Sequence, residues 1–347
     1  MIKSIYTLII SGFILLATYS CSSSKKDQNP NILWIYVEDI SSDFNCYGNT
    51  LVKSPNIDKL AENGVLFRNT FMPAPVCSPC RSAIITGAMP TTFGTHNHHS
   101  SRTDESAIHL PDYVKTLPEL FREAGYFTFN HGKDDYNFAY DRESLYSGEI
   151  KDNGMYGLVG LEIDWNAREE GQPFFGQIQL YGNKHIYNKK FKDKVLRTIG
   201  TDSLNIPPYY PDTDFIRQEW ANYLESQEIT DKEVGDIIQR LKDDGVLENT
   251  YIFFFSDHGM RLWRHKQFLY DSGTRVPFIL SFFGENGKLK QGTENTDIIS
   301  GLDIGTTSLG LAGISPPEYT EGIDIFSNNS EKRDYVISVR DRCDYTI

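Results

Sequence analysis

Short apolar runs, each ending in polar or acidic residues and separated by helix-like sequence, restrict this chain to a layered α/β fold. Asn31–Val37 (NILWIYV) is apolar without alternation, which suits a central strand buried on both faces. Similar runs recur at Val65–Phe71, Tyr126–Asn130, Phe174–Leu180, Tyr251–Phe255 and Val276–Phe283. Between them, Ser54–Ala61 reads as a helix closed by Asn63-Gly64, Thr116–Ala124 as another stopped by Gly125, and Asp231–Leu241 as an amphipathic third. This alternation predicts a mixed, mostly parallel central sheet sandwiched by helices. Segments 141–165 and 191–214 carry no periodicity and are expected to wall a cleft.

Such a sheet needs a large core, and the chain supplies it with 39% apolar and 13% aromatic residues. A formal net charge of −13 argues against nucleic acid as a partner, which would need a basic surface. It leaves room for an anionic ligand in a locally cationic cleft. The five cysteines form no spaced framework, so stability rests on the core. Residues 1–21 combine Lys3, an apolar run from Leu8 to Ala17 and an end at Cys21, which is the pattern of a secretory signal. The run is short for a membrane span. Cys21, Ser22–Ser24 and Lys25-Lys26 resemble a bacterial lipoprotein processing site followed by a polar tether over 22–30. An exported protein at the periplasm or cell surface is therefore expected, held to the membrane only by lipid at Cys21.

Chemistry concentrates at three places. In Cys77-Ser78-Pro79-Cys80-Arg81 a thiol stands at the start of a helix, because Pro79 is tolerated in a first turn, and Gly87 closes the helix. Arg81 lies one turn on, where its guanidinium could hold an oxyanion derived from Cys77. Glu38-Asp39 and Asp257-His258 each follow an apolar strand, and a hard divalent cation takes carboxylate oxygens at such a sheet edge. Out of context, Cys77 and Cys80 also fit a redox pair or half a zinc site, although Cys21, Cys46 and Cys343 supply no second pair. Asp257-His258-Gly259 also fits a simple turn.

The segment Cys77-Ser78-Pro79-Cys80-Arg81 with Thr86-Gly87 resembles the Cys-x-Pro-x-Arg signature of the sulfatase family. Gly132-Lys133 and the stretch from Lys266 through Tyr270-Asp271-Ser272-Gly273-Thr274-Arg275-Val276-Pro277 resemble two further blocks of that family. The residue order is closest to heparan N-sulfatase-like members. The resemblance implies an alkaline-phosphatase-like fold, with 31–347 a catalytic domain whose smaller antiparallel C-terminal domain is largely missing. It implies that a maturation enzyme oxidises Cys77 to formylglycine, whose hydrate attacks sulfur. It further implies that Glu38, Asp39, Asp257, His258 and the modified Cys77 bind one divalent cation, calcium or alternatively magnesium. Arg81, Lys133 and Lys266 would then orient and neutralise the sulfate, and His185 would protonate the leaving alcohol. His96, from the His96, His98 and His99 cluster, is read as a pocket residue. Glu38, Asp135 and His258 stand where the family more often has aspartate, histidine and asparagine. The implied function is hydrolysis of sulfate esters on a sulfated polysaccharide or oligosaccharide. Two alternatives are phosphonate monoester or phosphodiester hydrolysis on the same fold, and non-catalytic binding of a sulfated glycan.

Overall fold

Seven strands form a single sheet in the order β3-β4-β1-β5-β6-β2-β7, where β1 is Asn31–Val37, β2 Gly64–Phe71, β3 Phe127–His131, β4 Phe174–Leu180, β5 Thr250–Ser256, β6 Arg275–Phe282 and β7 Thr293–Ser300. The computed structural model describes residues 29–147, 158, 163–187, 198–328 and 332–341. The expected signal segment 1–21, with Cys21, lies outside the described residues, as does Cys343. No helix among the described residues is long and apolar enough to cross a membrane.

The mixed, mostly parallel sheet expected from the sequence is present. Strand β1 pairs in parallel with β4 and β5, β3 with β4, and β2 with β7, while β6 runs antiparallel to β5 and β2. Side chains alternate across β1 as a strand requires. Leu33, Ile35 and Val37 enter one core, together with helices α1 (Pro55–Glu62) and α4 (Asp214–Asp243). Ile32, Trp34 and Tyr36 enter the other, with α2 (Cys77–Thr86), α3 (Leu117–Glu123) and α5 (Leu302–Leu311). Burial on both faces explains why the β1 and β5 sequences are apolar at every turn. Trp34 closes the second layer by donating from Nε1 to Ser308 Oγ at 2.9 Å.

Local chemistry sets the helix ends. Pro55 opens α1, and Asp231 of α4 accepts from Asn56 N at 2.9 Å and Ile57 N at 2.8 Å, which satisfies the first donors of α1. Glu119 accepts from Thr116 N at 2.6 Å and so caps α3. Gly87 ends α2 with φ +74°, a left-handed value that glycine adopts without strain.

The helix expected over Asp231–Leu241 is only the second half of α4, which spans thirty residues. Its first half buries Glu225, Ser226, Gln227 and Thr230, and these polar residues hide the helical period. Strand β7 and helix α5 had no sequence signal. The first is a largely polar edge strand, and the second is buried nearly all round and carries glycines, so it lacks an amphipathic stripe.

Candidate active site

Four adjacent parallel strands, β3, β4, β1 and β5, end at one edge of the sheet, and each delivers a polar segment there. The segments carry Lys133, Lys184, Glu38-Asp39 and Asp257-His258 in turn. Strand β2 points the same way and leads to Cys77, the first residue of α2. Because β6 is antiparallel, the segment before it, with Lys266, begins at this same edge. Residues scattered from position 38 to position 266 thus converge where open α/β sheets bind ligands.

At the centre, potential ligand atoms of Asp39, Cys77, Asp257 and His258 lie within 4.8 Å of one another, all buried. His258 Nε2 is 3.3 Å from Cys77 Sγ, 3.4 Å from Asp39 Oδ1 and 3.6 Å from Asp257 Oδ2. Its Nδ1 lies 3.0 Å from Gly259 O, which can only accept, so Nδ1 carries a proton and Nε2 is the nitrogen turned to the carboxylates. Asp39 Oδ2 and Asp257 Oδ2 are buried without a hydrogen-bond partner. Two buried carboxylate oxygens without hydrogen bonds and an inward-facing imidazole nitrogen fit a divalent cation.

Lys266 Nζ stands 2.7 Å from Asp39 Oδ1 and 3.4 Å from Cys77 Sγ. Burial opposes ionisation of Cys77, but Lys133 and Lys266 outweigh it and bring the thiol down to about 7. Cys80 is not a redox partner in this geometry. Its thiol is buried and donates to Asp257 O at 2.9 Å, and both cysteines are free.

Glu38, expected as a cation ligand, is not in the four-residue group. Its carboxylate is fully buried and meets Arg81 at 2.5 Å, Lys133 at 3.2 Å, and Lys184. Burial would raise its pKa, yet Lys133, Arg81 and Lys184 hold it well below the usual carboxylate range. Arg81 also donates to Gln179 Oε1 at 2.9 Å and Lys133 O at 3.2 Å, and its guanidinium lies 4.1 Å from the Tyr36 ring centre. It is therefore a buried strut joining β1, β3 and β4, and its hydrogen bonds run to these groups and not to the thiol.

The histidines are placed differently from the sequence expectation. His185 is buried against α4, with Nε2 3.1 Å from Glu233 Oε2, whereas its neighbour Lys184 lines the cleft with Asp39 and Lys266. His96 Nε2 pairs with Asp341 at 3.3 Å on an exposed side of the 90–100 loop. His98 accepts or donates at Ser78 Oγ, 2.9 Å away, and stacks on His99 at 3.7 Å. Burial and His99 push His98 down to about 4, with Lys266 and Lys133 adding to the effect. Asp135 sits between Lys133 at 2.8 Å, His99 at 3.2 Å, and Arg102. Lys184, His98 and His99 were not singled out from sequence as reaction-site residues, and only the strand end at Leu180 marks the region of Lys184.

A family model described as Sulfatase matches residues 30–314. A relative named ulvan-active sulfatase, from Formosa agariphila, is 34% identical over 92% of this chain and 58% of its own length. The chain thus spans less than two thirds of that relative. A solved Bacteroides thetaiotaomicron structure, described for the metabolism of multiple glycosaminoglycans, superposes with a TM-score of 0.69 at 20% identity, covering 88% of this chain and 78% of the other. The phosphonate monoester hydrolase of Agrobacterium radiobacter superposes with a TM-score of 0.62 at 18% identity, covering 85% and 76%. Both structures show the shared fold, while the family match takes in Cys77, Arg81, Lys133, Lys266 and the four-residue ligand group at the sheet edge. On that match the chain belongs to the sulfatase family.

Proposed function

We propose that this protein hydrolyses sulfate esters on an anionic polysaccharide or oligosaccharide. The observation that carries this reading is the convergence of Asp39, Cys77, Asp257 and His258 with three lysines, 133, 184 and 266, at one sheet edge. Asp39, Asp257, His258 and the side chain at 77 would hold one divalent cation, calcium in our reading. Oxidation of Cys77 to formylglycine and binding of that cation would supply a geminal-diol nucleophile and a positive centre for the sulfate oxygens.

The protein's own residues do the rest. Lys266, pinned to Asp39, and Lys133, pinned to Glu38 and Asp135, place two ammonium groups beside position 77, where they neutralise charge on a bound sulfate. Arg81 and Glu38 fix the segment of Lys133 against β1, and Glu38 also holds Lys184. Lys184, the ammonium lining the cleft, is placed to give a proton to the leaving oxygen, because His185 is sealed against Glu233. The relative named for ulvan and the structural neighbour described for glycosaminoglycans support a sulfated glycan as substrate. A secretory signal over 1–21 with lipid at Cys21 would put the enzyme outside the cytoplasm, where such polymers are found. Loss of the lipid on Cys21→Ser, read by labelling with a fatty-acid analogue, tests the anchor.

The test of function is mass spectrometry across Cys77 after co-expression with a formylglycine-generating enzyme, followed by sulfate release from sulfated oligosaccharides. Aldehyde formation with sulfate release is the expected result. Faster turnover of an aryl phosphonate than of an aryl sulfate would instead favour the second reading that the shared fold with a phosphonate hydrolase raises. Glycan binding by aldehyde-bearing protein without sulfate release would favour a non-catalytic relative.

A further inference from the structure

We propose that, while residue 77 keeps its thiol, Asp39, Cys77, Asp257 and His258 form a closed four-coordinate site for a transition metal of the zinc class. This site precedes the sulfate-ester chemistry, because it belongs to the chain before any aldehyde is formed and can be tested without turnover. The sequence offers Cys77 and Cys80 as half a zinc site, but the structure gives Cys77 other partners. Cys80 donates to Asp257 O at 2.9 Å and is outside the group. Donor chemistry separates the thiol state from a calcium state. A thiolate and an imidazole suit zinc, whereas calcium takes about six to eight oxygens. Spacing agrees. With zinc–sulfur about 2.3 Å and zinc–nitrogen or zinc–oxygen about 2.0–2.2 Å, a tetrahedron sets its ligand atoms about 3.3–3.7 Å apart. His258 Nε2 lies 3.3 Å from Cys77 Sγ, 3.4 Å from Asp39 Oδ1 and 3.6 Å from Asp257 Oδ2, so the edges that meet at this nitrogen are already at length. The remaining pairs fall within 4.8 Å.

The surroundings are those of metal ligands. All four residues are buried. Gly259 O holds Nδ1 of His258 at 3.0 Å and so orients the ring, as an outer partner does in metal sites. Asp39 Oδ1 keeps Lys266 Nζ at 2.7 Å and Asp257 Oδ1 keeps Asp39 N at 3.1 Å, while Oδ2 of each is buried without a hydrogen bond. Cys77 opens α2, and Lys266 Nζ stands 3.4 Å from its sulfur, two conditions that favour a thiolate. Binding takes up one ion and releases to water the thiol proton and any proton on Nε2. With all four positions supplied by protein, the metal has no open place for a substrate, which is the form of a structural site and not of a catalytic one.

The test uses the full chain made without a maturation enzyme, reduced, stripped with EDTA and titrated with cobalt as a spectroscopic substitute for zinc. One equivalent of cobalt should give a sulfur-to-cobalt charge-transfer band together with the strong visible bands of four-coordinate cobalt. One equivalent of zinc should bleach both, and calcium in about a thousandfold excess should not. The charge-transfer band should vanish in Cys77→Ser and persist in Cys80→Ala. His258→Asn exchanges the imidazole for a neutral amide oxygen. It should keep the charge-transfer band but weaken cobalt binding by at least about 100-fold, the upper end of what losing an outer partner alone costs. That variant keeps the site open to refutation even if Cys77→Ser does not fold. Absence of the band in the wild type, its survival in Cys77→Ser, its loss in Cys80→Ala, an unchanged affinity in His258→Asn, or displacement by calcium would each overturn the inference. Sulfate release by aldehyde-bearing protein would be untouched by any of these results, and its failure would leave the zinc site standing.

Discussion

Replacing Glu38 by glutamine separates two roles that this carboxylate could have. It is fully buried and meets Arg81 at 2.5 Å, Lys133 at 3.2 Å, and Lys184. Arg81 is 1% exposed, so Glu38→Gln leaves it in a dry interior with weaker anionic company, chiefly Asp257 at 3.5 Å. Removing one partner of a buried ion pair costs about 3–5 kcal/mol, a large share of the roughly 5–15 kcal/mol that stabilises a typical protein. The sign with pH follows from the lowered pKa. Glu38 contributes its stability above the unfolded value of 4.5 and loses it as the pH falls through the lower folded value. Urea unfolding of the unmodified protein at pH 7 should therefore show the full gap between wild type and Glu38→Gln, and the gap should close on acidification below 4.5. The gap should be the same in EDTA and in calcium. A gap under about 1 kcal/mol at pH 7, or one that appears only with calcium, would refute the reasoning and make Glu38 a cation ligand.

Asp257→Asn should abolish the calcium-dependent rise in melting temperature, since it replaces a buried carboxylate whose Oδ2 accepts no hydrogen bond, while in wild type calcium at a hundred times Kd should add about 2.7 kcal/mol. His265 is buried beside Tyr210, and burial lowers its pKa from 6.5 to about 4. The unfolded chain takes up its proton first, so stability should fall by about 3 kcal/mol as pH drops from 6.5 towards 4, a slope that His265→Gln flattens in urea melts. Gly182→Ala should cost about 1–3 kcal/mol or more in the same assay. Gly182 holds φ +51°, and a Cβ there would lie 2.0 Å from Glu38 O.

The parts of the fold legible in the sequence are those where burial is symmetrical. β1, β4 and β5 were placed within a residue because strands covered on both faces stay apolar throughout. The polar edge β7, the glycine-bearing α5 and the first half of α4 break the rule that links period to structure. At the site, Asp39, Cys77, Asp257 and His258 were legible because each stands directly at a strand end or helix start. The choice between Lys184 and His185 was not. Both lie in the 3-10 helix Gly182–Tyr187, where neighbours point roughly 120° apart, and only the left-handed turn at Gly182 decides which of them meets the cleft. Likewise, sequence shows two carboxylates at 38 and 39 but not that one turns to the cations of the strut and the other to the ligand group.

That division follows from where the backbone is strained. Asp39, His99, Asp135, Arg264 and Gln267 are the non-glycine residues with left-handed φ among the described residues, and Asp39 and Gln267 line the cleft itself. Each costs about 1–3 kcal/mol unless its surroundings hold it. Here they do. Asp39 N donates to Asp257 Oδ1 at 3.1 Å, and His99 N to Ser78 Oγ at 3.1 Å. Gln267 N reaches Pro75 O, Asp135 is held by Lys133 and Arg102, and Arg264 lies between the rings of Tyr209 at 4.7 Å and Tyr270 at 4.0 Å. The left-handed turn at 39 swings its carboxylate away from Glu38 and toward Asp257, which is how two adjacent acids come to face different charges. Strain offset by the two cores thus fixes donors and carboxylates before any substrate enters, and charge developing on a bound sulfate would meet groups that need not reorganise.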